Sequence, residues 1–187
     1  MKRSGFVVAA ALLSIFMLIA TRTGHAEGPL RGVALIKGTA PDSPIRGIVK
    51  FTEIAGGLKI EADIYGVPNP GDHGFHIHDL GSCDDMGKAA GGHFNPKSVP
   101  HGLLAKDGHD HAHAGDMGNI TVDQDGHAVL DMVLPGLSLS GGMYNVAGRS
   151  VIVHEKLDDF SQPTGNAGGR IGCGLIIPLT GEESPEQ

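Results

Sequence analysis

The stretch GFHIHDLGSC, residues 74–83, sets two histidines one residue apart and follows them with a cysteine. Its first half reads as a β-strand, and on a strand side chains alternate faces. His76 and His78 therefore point the same way, separated by Ile77, a residue type usually buried. Two imidazoles on one face suit a shared metal ion, and they suit two ordinary surface histidines equally well. What the rest of the chain supplies decides between them.

Outward from that stretch the strand pattern continues. Residues 31–36, 47–52 and 57–65 precede it, and 118–122, 128–134, 150–154 and 173–177 follow it. All are short, rich in β-branched residues and punctuated by Gly, Pro, Asp and Asn. No segment sustains a helical period, and 30 of the 187 residues are glycine, as many turns require. The pattern predicts an all-β single domain of about eight strands, a sandwich or a barrel. Two stretches, 79–114 and 155–170, are too long and glycine-rich for simple turns, and loops of that length usually carry function.

The ends read differently. Lys2 and Arg3, an apolar run over 6–20 and the small-residue ending Gly24-His25-Ala26 form a cleavable secretory signal over residues 1–26. The mature domain is then 27–187, with an acidic, flexible tail at 180–187 and no membrane span after processing. Such a protein is exported, to a periplasm or to the extracellular space. Residues 1–26 hold three basic and no acidic side chains, which leaves eleven basic against twenty-one acidic, a net −10 with histidine neutral. That charge, with no Trp and only Tyr65 and Tyr144, excludes nucleic acid as a partner. Export also favours joining the two cysteines, Cys83 and Cys173. Such a bridge stabilises by up to about 4–5 kcal/mol in the chain-entropy model; a pair of metal-bound thiolates is the alternative.

Ten of the eleven histidines lie in the mature chain, most of them in or beside the two long loops. His93 sits in GGHFNP, His101 in PHGLL, and His109, His111 and His113 in GHDHAHAGD, with Asp116 three residues on. His154 ends RSVIVH, where Ser150, Ile152 and His154 share one face and Val151 and Val153 the other. His127, in QDGHAV, reads as a turn residue without a role.

GFHIH, GGHFNP, HAGDMGN, GRSVIVHEKLDD and TGNAGGRIGCG, in this order and spacing, resemble the copper/zinc superoxide dismutase family from Arg31 to Ile177. The resemblance implies an eight-stranded Greek-key β-barrel and an enzyme that converts superoxide to oxygen and hydrogen peroxide with copper and zinc. Copper would be held by His76, His78, His93 and His154, and zinc by His93, His101, His113 and Asp116, so that His93 bridges the two. Asp158 would hydrogen-bond ligands of both metals, Arg170 would dock the anion beside copper, and Cys83 and Cys173 would form the disulfide. His73 would be structural. The donor sets fit those metals: imidazoles open to solvent suit a redox ion, and three histidines with one aspartate suit a closed zinc site. Residues 155–170 are shorter than in many members and carry few charges, which implies weaker steering of the anion. The loop before His113 is longer, leaving His109 and His111 as solvated spares or a metal-capturing flap. A homodimer is expected, and the apolar run CGLIIPL reads equally as its contact or as a final core strand.

Overall fold

The structure, a computed structural model, describes residues 28–179. The signal-sequence and tail expectations lie outside that range.

Eight antiparallel strands close on themselves. They are β1 (Arg31–Gly38), β2 (Arg46–Ile54), β3 (Gly57–Tyr65), β4 (Gly71–His78), β5 (Asp116–Val122), β6 (Ala128–Pro135), β7 (Ser150–His154) and β8 (Arg170–Leu175). Their order around the sheet is β2-β3-β6-β5-β4-β7-β8-β1, and β1 pairs with β2 to close the barrel. The chain passes from β3 to β4 over two intervening strands, and from β6 to β7 likewise, which is a Greek-key path. The expected eighth strand starts earlier, at Arg170, and breaks at Ile176, whose main chain pairs with the 148–149 turn; three further residues, β9 (Ile177–Leu179), rejoin β1. The only helices among the described residues are single turns, Lys88–Ala90 and Leu104–Asp107.

Alternation builds the core. On β3, Leu58, Ile60, Ala62 and Ile64 are buried while Lys59, Glu61 and Asp63 face outward, and β1 and β2 add Ala34, Ile36, Val49 and Phe51. β4 and β7 break the rule that one face stays wet: every residue from His73 to His78 and from Ser150 to His154 is buried. Phe75, Ile77, Val151 and Val153 enter the barrel core, as strand alternation required. The opposite faces, with His76, His78, Ile152 and His154, lie beneath the two long loops. Ile152 packs there with Ala90 against the Cys83–Cys173 disulfide, so the cysteines are joined and are not metal ligands. The barrel holds the site rigid, and the loops roof it.

Candidate metal centre

Strand register brings the sequence-distant ligand candidates together. His76 lies opposite Ile152 on β7 and opposite Asp116 at the start of β5, where a bulge after Gly74 shifts the pairing. His154 lies opposite Arg170 across a second bulge, and an isolated bridge ties His78 to His93 in the first loop. Bulges re-aim side chains where a regular ladder could not. Gly115 is needed just before β5, because a Cβ there would overlap the Ile77 carbonyl.

Two donor clusters result, sharing one ring: His76, His78, His93 and His154, and His93, His101, His113 and Asp116, all buried. In the second, the fully buried Asp116 carboxylate has His93 Nδ1 at 2.8 Å, His113 Nδ1 at 3.1 Å and His101 Nδ1 at 2.8 Å. It also accepts the main-chain N–H groups of Gly102 and His113. These contacts hold the Asp116 carboxyl far below the usual carboxylate range in spite of its burial.

The ring nitrogens say what the clusters are for. His76 Nε2–H donates to Asp158 at 2.8 Å, and His101 Nε2–H donates to the same carboxylate at 3.0 Å. That leaves His76 Nδ1 as a lone pair, buried without a hydrogen-bond partner, while His101 Nδ1 faces the Asp116 carboxylate. His78 Nδ1–H donates to the Gly91 carbonyl and His154 Nδ1–H faces that of Gly168, so their Nε2 lone pairs point at one another across 3.3 Å. Converging buried lone pairs repel unless a cation lies between them. The first donor set therefore fits a metal ion, and the second, three imidazole nitrogens around one buried carboxylate, has the donor types of a zinc site. A third grouping, His76, His101 and Asp158, is already satisfied by its own hydrogen bonds.

The clusters differ in access. A cavity of about 390 Å³ is lined by His78, His93, His154, Gly168 and Arg170, and by none of His101, His113 or Asp116. Arg170 is seated there by the Gly87, Lys88 and Gly91 carbonyls, which accept its guanidinium N–H groups. The first set borders the cavity beside a cation, and the second reaches it only through the shared His93.

Asp158 is itself held in place. The Asn119 amide pairs with its main-chain N–H and C=O at 2.8 and 3.0 Å, and Gly165 leaves room where a Cβ would overlap its Oδ1. Asn119 stands within the HAGDMGN motif, so the sequence held a sign of it. Gln162, which pairs with the main chain of His101, carried no sequence signal.

Four other histidines are now placed. His73 spans the His154 and Asn69 carbonyls and is structural, as expected. His127 is not idle: it stacks on Tyr65 with ring centroids 4.2 Å apart and donates to Asp63, joining β6 to β3. His109 is half-buried, stacks on Tyr144 at 3.7 Å and donates to the Pro135 carbonyl, which holds it against the barrel. Only His111 of the two spare histidines is exposed.

Burial and the neighbouring His93 ring push His78 down to about 2, and burial with His76 pushes His154 to about 3. At His93 burial outweighs the Asp116 bond, giving about 4. At His101 burial acts downward, but Asp116 and Asp158 prevail and raise it to about 9. The first three stay neutral when folded but take up protons below pH 6.5 when unfolded, so the metal-free protein loses stability as pH falls below 6.5. Each contributes up to about 1.4 kcal/mol per pH unit. His101 contributes fully below pH 6.5 and loses its contribution as pH rises through about 9. Melting of the metal-free protein, followed from about pH 5 to about pH 9, should peak near 6.5; a melting temperature that rises on acidification contradicts this balance.

A Greek-key barrel that gathers two buried donor sets around one shared imidazole belongs to the class of binuclear metalloproteins. The family model described as copper/zinc superoxide dismutase (SODC) matches residues 45–176. Superoxide dismutase [Cu-Zn] 3 of Arabidopsis thaliana is 40% identical over 158 residues, covering 80% of this chain and 92% of that relative. Superoxide dismutase [Cu-Zn] of Paramecium bursaria Chlorella virus 1 is 35% identical over 180 residues, covering 88% and 90%. Extracellular superoxide dismutase [Cu-Zn] of Caenorhabditis elegans is 39% identical over 137 residues, covering 70% and 60%. A crystal structure of the clock protein EA4 matches with a TM-score of 0.71 and 35% identity, over 81% of this chain and 96% of that one. The chain belongs to the copper/zinc superoxide dismutase family, and is an oxidoreductase acting on superoxide with copper and zinc as its cofactors.

Proposed function

We propose that His76, His78, His93 and His154 hold copper, that His93, His101, His113 and Asp116 hold zinc, and that Arg170 and His93 carry the reaction. The observation that carries this reading is the cavity: the all-histidine set borders it through His78, His93 and His154 beside Arg170, and the aspartate-bearing set only through the shared His93. An open site suits turnover and a closed one suits a structural ion.

Copper held by the all-histidine set would supply a one-electron couple for superoxide. The chain's own residues do the rest. The Arg170 guanidinium presents fixed donors to a small anion beside His78 and His154, and its carbonyl seat keeps it from swinging away. His93 keeps Nδ1 on the Asp116 side, so the proton delivered to the reduced anion is held and released at Nε2. Asp158 fixes the tautomers of His76 and His101.

The test is superoxide decay by protein loaded with both metals, against Arg170→Ala. We expect wild-type dismutation, with kcat/KM lowered about tenfold or more in the variant at unchanged metal content, the scale of a lost charge-assisted contact. A variant as fast as the wild type removes Arg170 from the mechanism. A loaded wild type that leaves superoxide untouched removes the reading as a whole.

The chain is read as one domain over 27–187, exported after loss of residues 1–26. The basic and apolar N-terminal pattern, the Cys83–Cys173 bridge and a relative named as extracellular support export. Leu35, Leu175, Ile177 and Leu179 form an exposed apolar strip on β1, β8 and β9, which supports pairing with a second copy.

A further inference from the structure

The segment between His154 and Arg170 is short, and the structure shows what its residues do instead of reaching outward. From Asp159 to Asn166 the chain folds into a turn closed by its own hydrogen bonds. Asp159 accepts from the Ser161 N–H and from the Asn166 amide, Gly165 N–H donates to the Ser161 carbonyl, and Asp159 N–H donates to that of Gly165. Gln162, at the apex, takes no part in this network, and its side chain is spent on the other loop. Its Oε1 accepts the His101 main-chain N–H at 3.0 Å and its Nε2 donates to the His101 carbonyl at 2.8 Å.

His101 needs such a partner. It is 4% exposed and lies in an irregular stretch where no other main-chain group pairs with it. On either side the backbone is held by side chains: Asn95 clamps Val99 at both N–H and C=O, and Asp116 accepts from Gly102 N–H. The His101 ring has little freedom to choose its place, because Nδ1 must face Asp116 and Nε2 must face Asp158 at once. A main chain that shifts by a fraction of an ångström loses one of those contacts. Buried main-chain groups left unpaired drive just such a shift.

We propose that Gln162 is a positioning residue for the zinc site: its amide clamps the backbone of His101, so the two long loops are locked together at a ligand. The inference rests on the reading of His101 as a zinc ligand. It is specific to this chain's compact turn, since it depends on the side chain at the apex of 159–166.

The variants that separate hydrogen bonding from bulk are Gln162→Met, which keeps the length and loses both bonds, and Gln162→Glu. The latter keeps the acceptor for His101 N–H and sets a second oxygen against the His101 carbonyl. In the metal-loaded protein challenged with a zinc chelator, both should release zinc about tenfold faster than wild type, the scale of an outer partner to a ligand. Copper release should stay within about twofold. With cobalt(II) in the zinc site the visible bands should move, because His101 moves. A His101→Ala protein run beside them should lose zinc outright. If it does and the Gln162 variants match wild type in rate and spectrum, the clamp is refuted and the ligand reading stands. If Gln162→Met speeds copper and zinc release alike, the residue merely stiffens the fold and the proposal fails. If His101→Ala keeps its zinc, the ligand reading fails and the clamp with it.

Discussion

Replacing Asp158 with alanine weakens zinc and copper binding together, by about ten- to a hundredfold at each site. One buried carboxylate receives His76 Nε2–H at 2.8 Å and His101 Nε2–H at 3.0 and 3.1 Å, and these imidazoles belong to different donor sets, the proposed copper and zinc sites. Each bond fixes a tautomer, and the tautomer decides whether Nδ1 offers a lone pair or a proton. Those paired imidazoles also hold the Asp158 carboxyl well below its usual range against the pull of burial, so it is ionised wherever the protein works. Without the carboxylate the protons redistribute and both rings turn. Asp158→Asn sharpens the point: an amide has one oxygen to accept with, so a single ring keeps its tautomer and the other faces an N–H donor. We expect the asparagine variant to keep one metal near wild-type affinity and lose the other. Competition with chelators, run for each metal separately, reads both outcomes. An alanine variant that loses only one metal would show that Asp158 serves one site.

What the sequence could reveal follows from how each feature is encoded. Strands announce themselves locally, through short runs rich in β-branched residues between turn residues and, on β3, through the alternation of Leu58, Ile60, Ala62 and Ile64, and β1 to β7 overlap the stretches read that way. The break at Ile176 depends on a pairing with residues 148–149, far away in the chain, and nothing local marks it. The two donor clusters were legible because the five motifs carry their residues at family spacing. The roles of His109 and His127 were not, because each is set by a distant aromatic partner, Tyr144 and Tyr65 respectively. Gln162 was invisible for the same reason: a glutamine in a short turn has no pattern, and its meaning lies in the backbone of His101 some sixty residues earlier.

Replacing Cys83 and Cys173 with serine lowers the melting temperature of the metal-loaded protein by about 5–20 °C, and it lowers kcat/KM as well. The bridge joins residues 90 apart, and loops of that length confine the unfolded chain enough to contribute about 2–5 kcal/mol. At about 2–4 °C per kcal/mol for a domain of this size, that contribution sets the expected shift. The effect on activity has a separate origin. Cys173 stands on β8 three residues after Arg170, and Cys83 opens the segment whose Gly87, Lys88 and Gly91 carbonyls seat the guanidinium. The bridge therefore holds the seat and the seated side chain to one another. With it gone, the segment stays on the barrel through Ser150 Oγ, which donates to the Leu80 carbonyl, and through Arg149 against Asp79, bonds that water can replace. Arg170 then samples positions away from His78 and His154 while the ligand sets stay built. The signature is a drop in kcat/KM at full copper and zinc content, reproduced in the wild type by a thiol reductant and absent from an Arg170→Ala background. Calorimetry and superoxide decay on the same samples separate the two effects. A variant that melts within about 2 °C of wild type leaves the bridge without the stabilising part given to it here.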